Sequence, residues 1–413
     1  VCGPAHTGGT AGAATPRPGR PVTARQELPL LEIARLQDPV GVITVYVDAA
    51  PDRMTGSRPP FAIAIRNRLR ALREEVKAGQ PHGRWTAVHA RLDALEPELA
   101  RLLAPRADGR GRGIVAAVAG GQVLHVAIQQ PLPDHVAFND TPHLLPLLAA
   151  VEAGRPAGVV TVAREGVRAV EWRLGTSRTL AHERLFEPTG DWRPLSGPAG
   201  RSTPQSSAPQ RDLFDRRLEE HQARMVAGTV EWLAPLDATH GWDVLVVSGD
   251  PRMTGPLTAA LPDRPGRETI VTGDVIEWRS DAEVARMVEP LLARARERRQ
   301  VALVRQAGDA ARSGGAAVVG LSETLASLAE GRVERVLIDP RRAFPGVRAP
   351  GGRMAAGDEV PPGVDPAELR HVDDLAEAVA GAVIGTSGHV TVVTGAAADA
   401  LAPDGGIAAF LRW

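Results

Sequence analysis

Short runs of β-branched and aliphatic residues recur along the chain, and stretches with helical periodicity separate them. Such runs occupy 40–47, 158–163, 242–247 and 333–338. Their length and their flanking turn residues are typical of buried strands. After the first run, apolar residues recur at spacings of four, three and four from Ile65 to Val76, which places them on one helix face. Strands that alternate with helices predict an α/β fold.

The chain of 413 residues is long enough for two to four domains of roughly 100–200 residues each. Composition suggests where they begin and end. Residues 1–24 are rich in Gly, Ala, Thr, Pro and Arg and predict a disordered tail. An N-terminal α/β domain is expected at 25–152, a middle domain at 155–280 and a C-terminal domain at 281–413. The middle domain contains a Pro- and Ser-rich stretch, 194–210, that predicts a long exposed loop.

Charge and cysteine content exclude several classes of protein. The 48 basic and 49 acidic residues nearly cancel, which excludes indiscriminate coating of nucleic acid. Cys2 is the single cysteine of the sequence, so a disulfide framework and a zinc site of clustered cysteines are excluded. The sequence has neither a nucleotide-binding glycine motif nor ligand-like histidine spacing. We therefore expect a cytoplasmic protein without metal, cofactor or membrane segment.

A stripe of basic side chains lies beside the apolar face of the first predicted helix. Arg66, Arg70, Arg73 and Lys77 share its spacing, so they are expected on one side of the helix. Two interpretations stay open. The stripe is either a solvated face neutralised by the neighbouring Glu74 and Glu75, or a contact surface for RNA.

Three local patterns give further expectations. Gly120-Gly121-Gln122 stands between the predicted strands 114–118 and 123–128, which predicts a hairpin turn. The Gly- and Pro-rich stretch 343–365 predicts a loop insertion. The third pattern concerns tryptophans that are expected to fill cores, namely Trp172, Trp232, Trp242 and Trp278.

The middle and last blocks resemble a known family. The pattern 159–174 (VVTVAREGVRAVEWRL) and the later Ser248-Gly249-Asp250-Pro251 resemble the middle domain of archaeo-eukaryotic class-I release factors and Pelota. The stretches 320–325 and 330–338 and the terminal GGIAAFLRW are similar to that family's L7Ae-like C-terminal domain of ribosomal-protein type. The chain most resembles the bacterial branch, which includes actinobacterial members and Balon-type hibernation factors. The resemblance implies three consecutive α/β domains.

The resemblance also implies a function in translation. It implies a factor that binds the rRNA of the A site of idle or stalled 70S ribosomes, in hibernation or rescue under stress. An elongation factor Tu-like GTPase and tRNA are further implied partners. The family's stop-codon motifs contain a Lys and a Cys, but Lys77 lies in a Glu-Val-Lys-Ala context and Cys2 in the tail. Stop-codon decoding is therefore not expected. An RNA-binding protein that acts off the ribosome is a further alternative.

By the same resemblance, the middle-domain loop is the segment that enters the ribosome. Residues expected to contact rRNA or tRNA are Arg193, Gly197, Gly200, Arg201 and Arg211, together with Arg66, Arg70 and Arg73. Internal pairing of the loop arginines with neighbouring acids is the competing interpretation. No Gln directly follows the loop's Ser196–Arg201, where the family carries its Gly-Gly-Gln. No catalytic residue is therefore assigned. The alternative is a peptidyl-tRNA hydrolase that uses Gln205 or Gln210.

Overall fold

The computed structural model describes residues 30–53, 59–105, 107–163, 166–183, 208–274, 276 and 278–413, with the backbone alone at 208–218 and 221. Helices and strands alternate, and the strands in these ranges form four sheets. The predicted α/β class is confirmed. Each of the larger sheets falls within one predicted block, whereas the block boundaries and the 1–24 tail stay predictions. No helix in the described ranges is long and apolar enough to cross a bilayer.

The first sheet is antiparallel, with the strand order β3-β2-β1-β4. Its strands are β1 (Val42–Asp48), β2 (Gly111–Ala117), β3 (Val123–Ile128) and β4 (His135–Asn139). Because side chains alternate along a strand, Ile43 and Val45 face one side of the sheet and Val42 and Tyr46 the other. The helices α2 (Pro60–Gly79), α3 (His82–Ala94) and α4 (Glu96–Leu102) cover the Ile43 side.

The middle sheet has the order β7-β6-β5-β8-β9. Its strands are β5 (Ala157–Ala163), β6 (Gly166–Arg173), β7 (Thr176–Glu183), β8 (Val244–Gly249) and β9 (Glu268–Thr272). The strands β5, β8 and β9 run parallel, and β6 and β7 are antiparallel additions. Helices α6 (Ala208–His240) and α7 (Pro251–Ala260) pack on one face, and α8 (Asp281–Arg312) packs on the other.

The third large sheet has the order β10-β16-β11-β15. Its strands are β10 (Ala317–Val319), β11 (Val333–Ile338), β15 (His389–Val392) and β16 (Ile407–Leu411). Its helices are α9 (Leu321–Ala329), α10 (Ala376–Gly385) and α11 (Gly395–Leu401).

The predicted loop insertion at 343–365 is wrong, because this stretch contributes to a small separate sheet. The sheet consists of β12 (Gly346–Arg348), β13 (Met354–Ala356) and β14 (Arg370–Val372). Strands of three residues are too short to show a period-two pattern, so the Gly and Pro content dominated the prediction. Met354, Ala356 and Val372 of this sheet pack against the hydrophobic core of the third large sheet.

The first and third sheets share one hydrophobic core. The Val42 and Tyr46 side of the first sheet packs with α1 (Leu30–Arg35), α5 (Leu145–Ala153) and α10 into a single cluster of buried residues. Apolar burial is the main favourable term in folding. We therefore expect these two parts of the chain to be stabilised together.

Of the four tryptophans predicted to fill cores, two are fully buried, one is partly buried and one is exposed. Trp172 and Trp242 are 1% and 0% exposed, as predicted, and Trp232 is partly buried against the α6 side of the middle sheet. Trp278 is 70% exposed, so its prediction is wrong. Ile276, two residues earlier, occupies the core instead at 1% exposure.

Candidate nucleic-acid interface

The basic stripe of α2 lies on solvent because the opposite face of the helix is used for packing. Phe61, Ile65 and Leu69 are buried against the first sheet, and helical periodicity places Arg66 and Arg70 on the outside. Both arginines are exposed. Ile63, one turn before Arg66, is 49% exposed on the same helix.

Ion pairing divides the stripe. The Arg73 guanidinium lies 2.7 Å from the Asp93 carboxylate of α3, so its charge is compensated within the protein. Arg70 reaches only the Asn67 side-chain oxygen, at 3.4 Å. In the described part of the chain, neither Arg66 nor Arg70 forms an ion pair. These two cations are therefore available to phosphates, whereas Arg73 contributes less.

The second candidate surface is the edge of the middle sheet at which β7 ends. Glu183, the last residue of β7, pairs with Val167 of β6, and Val167 pairs with Val162 of β5. Val162 in turn lies beside Gly249 at the end of β8. The segment 184–207 therefore departs from the same edge at which the parallel strands β5 and β8 end. Ligands of open α/β sheets bind outside this carboxyl edge.

The turn Ser248-Gly249-Asp250 at this edge is structural. The Ser248 hydroxyl donates to the Asp274 carbonyl at 2.6 Å, and the Asp250 carboxylate caps α7 by accepting from the Arg252 N–H at 2.9 Å. Gly249 has a φ of +141°, and a Cβ there would lie 2.0 Å from the Val162 carbonyl oxygen. Because these side chains are already engaged, the turn does not form a phosphate cradle.

A polar network fixes the start of α8 to the same edge. The Asp281 carboxylate lies 2.7 Å from the Arg168 guanidinium of β6 and accepts from the Thr179 N–H of β7 at 3.0 Å. Burial raises the pKa of Asp281, but the bonds from Thr179 and Arg168 outweigh this and lower it. Arg168 also donates to the Arg279 carbonyl at 2.7 Å. The chain that enters α8 is thus held at two neighbouring points.

Most of the residues predicted to act in the middle-domain loop lie outside the described part of the chain. Arg193, Gly197, Gly200, Arg201 and Gln205 lie outside the described residues. The helix α6 begins at Ala208 and so includes the last residues of the predicted 194–210 loop. Gln210 and Arg211 lie in its first turn, where the structure describes only the backbone. Their roles stay predictions.

Gly120-Gly121-Gln122 forms the hairpin turn between β2 and β3, as predicted. Gly121 takes a φ of +70°, a conformation that glycine adopts without strain. The Gln122 amide donates to Glu32 of α1 at 3.2 Å, and Arg91 of α3 donates to the Gly121 carbonyl at 2.7 Å. The tripeptide therefore serves the packing of the first sheet.

Trp278 is exposed, which the sequence pattern did not predict. The sequence does contain an indication of this exposure, because charged Glu277 and Arg279 flank Trp278 and no apolar periodicity includes it.

Within the described ranges, no group of three His, Cys, Asp or Glu side chains could hold a metal ion.

In comparison with known families, the middle segment matches the archaeo-eukaryotic release factors, as the resemblance predicted. More particularly, the model of bacterial archaeo-eukaryotic release factor family 10 matches residues 142–296. These residues run from the approach to α5 through the middle sheet and into α8. The assignment therefore covers both the sheet edge and the segment that leaves it. No curated protein matches the sequence significantly.

Among solved structures, an archaeal translation termination factor, aRF1, is 16% identical, with 93% of this chain and 96% of that chain covered and a TM-score of 0.24. An archaeal Pelota, described in a ribosome-bound model with ABCE1, is 15% identical over 73% of this chain and 77% of that chain, with a TM-score of 0.37. Dom34 of S. cerevisiae, described as interacting with Hbs1, is 9% identical, with 73% of this chain and 79% of that chain covered and a TM-score of 0.34. The assignment rests on the family match.

Proposed function

We propose that this protein is a ribosome-binding factor that occupies the A site of idle or stalled 70S ribosomes in the cytoplasm without reading a stop codon. The observation that carries the proposal is the match of residues 142–296 to the release factor family. Release factors act on the ribosome, and the resemblance to the bacterial branch favours hibernation or rescue during stress. The departures at Lys77 and Cys2 argue against decoding.

The surfaces suggest how the factor would lie. Arg66 and Arg70 of α2, both exposed and without an ion pair in the described ranges, would contact small-subunit rRNA phosphates. The segment 184–207, with its arginines, would extend from the edge of the middle sheet towards rRNA or tRNA of the large subunit. Phosphate contacts of this kind position a protein without reading sequence. A near-neutral chain can therefore dock at one shaped site.

A translational GTPase is the further partner that we propose, at the third sheet. Dom34 is described as interacting with Hbs1, and the resemblance to the bacterial branch implies an elongation factor Tu-like protein as the corresponding partner of this chain. Pull-down from a cell extract with and without added ribosomes tests this partner. Recovery of no GTPase under either condition would contradict it.

Co-sedimentation of the purified full chain with 70S ribosomes tests the central proposal. The wild-type chain should sediment with ribosomes and dissociate as salt rises, because phosphate contacts release counterions. The variant R66E/R70E should bind about tenfold more weakly and with a shallower salt dependence. A matched control is R294E/R305E, which changes two exposed arginines of α8 by the same charge.

The outcomes of this experiment test ribosome binding and the role of α2 as a contact surface separately. A wild-type chain that stays in the supernatant at low salt would remove ribosome binding altogether. If wild type sediments but R66E/R70E and R294E/R305E bind equally well, α2 is not the contact surface. Weaker binding by the α2 variant alone supports the orientation given above.

A further inference from the structure

Trp278 presents a large aromatic ring to solvent from the connection between β9 and α8. Its side chain is 70% exposed, whereas the nearby Ile276, Arg279 and Ser280 have contacts within the protein. Ile276 is 1% exposed in the core between the middle sheet and α8, and the Arg279 carbonyl accepts from Arg168. Ser280 forms a capping box with Glu283 at the start of α8. These contacts order the chain close to Trp278, and such order reduces the entropy that is lost when an exposed side chain binds a partner.

The position of Trp278 connects it with the proposed ribosome contact. After β9 the chain meets the end of β8 through Asp274 and Ser248, at 2.6 Å. It then reaches β6 through Arg279 and Arg168, at 2.7 Å. Arg168 is one residue from Val167, the partner of Glu183 at the end of β7. Trp278 therefore lies at the edge from which the segment 184–207 departs.

The surroundings of the indole suit a nucleobase better than an apolar protein surface. The other large exposed apolar side chain of this sheet, Val271, is 50% exposed. It pairs with Val247, whose side chain faces α6 and α7, so Val271 and the α8-side Ile276 lie on opposite faces. The described residues of this sheet and its connections therefore form no broad exposed apolar patch. An isolated ring is instead typical of platforms on which single bases stack.

Two exposed arginines, Arg252 and Arg279, lie at this edge. Arg279 follows Trp278 in the sequence, and its side chain is 52% exposed and lies 3.4 Å from the Glu283 carboxylate. Arg252, at the start of α7 on the same edge, is exposed. The described acids close to Trp278 have partners within the protein: Asp281 binds Arg168 and Thr179, and Asp250 caps α7. Asp274 accepts from the Thr272 hydroxyl, and Glu283 belongs to the capping box of α8. Cations beside an aromatic ring match a base on its phosphate backbone.

We propose that Trp278 stacks on an unpaired nucleobase of ribosomal RNA, beside the point at which the segment 184–207 leaves the middle sheet. This inference rests on the proposed function, because it needs the chain to reach the ribosome. It adds a base contact on the connection between β9 and α8.

The test compares variants of the full chain in titrations with 70S ribosomes and, separately, with free tRNA. W278A should weaken ribosome binding about tenfold, the magnitude expected for loss of one base–aromatic stack. W278F should keep most of the affinity, whereas W278L, which is apolar but cannot stack, should behave as W278A. W413A changes another exposed tryptophan, 68% exposed at the far end of the chain, and should bind as wild type. Circular dichroism checks that every variant is folded.

Each result decides the proposal. Wild-type binding with an unchanged W278A overturns the stacking contact and leaves the proposed function standing. Full affinity in W278L would indicate an apolar contact with a ribosomal protein and would also overturn it. A loss in W278A that affects tRNA but not ribosomes would overturn ribosomal RNA as the partner. If the wild-type chain binds no ribosomes, the proposed function fails and the contact fails with it.

Discussion

Glu377 of α10 holds the start of α5 across the core that the first and third sheets share. Its Oε2 accepts the Leu144 N–H at 2.5 Å, and its Oε1 accepts the Leu145 N–H at 3.1 Å. The same Oε1 lies 2.9 Å from His143 Nδ1, and the Glu377 side chain is only 17% exposed. The first N–H groups of a helix have no partner within the helix. Glu377 therefore caps α5 from a distant part of the chain.

Glu377→Ala should cost about 3 kcal/mol of stability. The change leaves two buried backbone donors unpaired, and each unpaired donor costs about 1–3 kcal/mol. Loss of a helix cap alone costs about 1 kcal/mol, so the estimate lies well above that of a surface change. Glu377→Gln keeps one carbonyl acceptor and should cost about 1 kcal/mol.

Differential scanning calorimetry and hydrogen exchange measure the effect. A loss of about 3 kcal/mol should lower the transition that contains α5 by roughly 6–12 °C for a cooperative unit of this size. Amides 142–153 should also exchange faster. Glu330→Ala, which removes a 57% exposed side chain paired with Arg332, is the control and should change stability by less than about 0.5 kcal/mol. Melting of Glu377→Ala within about 1 °C of wild type would refute the capping role.

Three further perturbations test local parts of the account. Gly249→Ala places a Cβ 2.0 Å from a backbone carbonyl and should lower the free energy of unfolding in urea by about 3 kcal/mol or more. Gly121→Ala meets no atom within 4 Å and should lower it by about 1 kcal/mol. Equal losses in the two variants would contradict this difference. Burial, with His143 nearby, lowers the pKa of His135 to about 4, so its contribution is present above about pH 6.5 and is lost as pH falls towards 4. His135 is only half-buried, so solvent screening limits the effect to about 1–2 kcal/mol; a His135→Gln variant with an unchanged pH profile of urea unfolding would exclude it. Asp281→Asn weakens the bonds to Arg168 and Thr179 and should speed amide exchange in the first turn of α8, with unchanged exchange as the contrary result.

Local sequence patterns predicted much of the secondary structure. The strands 123–128 and 333–338 have the bounds expected from their apolar runs. The hairpin at Gly121 followed from glycine's conformational freedom. These features depend on neighbours in sequence, which is why the patterns were sufficient.

Features that depend on distant residues could not be predicted. Leu144 and Glu377 are 233 positions apart, and nothing in either neighbourhood indicates that they meet. The common core of the first and third sheets likewise joins residues that are far apart in the sequence, so no local pattern indicates it. Trp278 was placed inside because tryptophans are usually well buried, yet Ile276 fills the available space. The ion pair of Arg73 with Asp93 on another helix likewise separates it from Arg66 and Arg70.

A structure of this chain bound to stalled or idle 70S ribosomes, determined by electron cryo-microscopy, tests the central claim most directly. The account predicts density for the chain in the A site, with α2 against small-subunit rRNA and the segment 184–207 directed towards the large subunit. Density for the chain only outside the A site, or ribosomes that carry none of it at saturating concentration, would contradict the account.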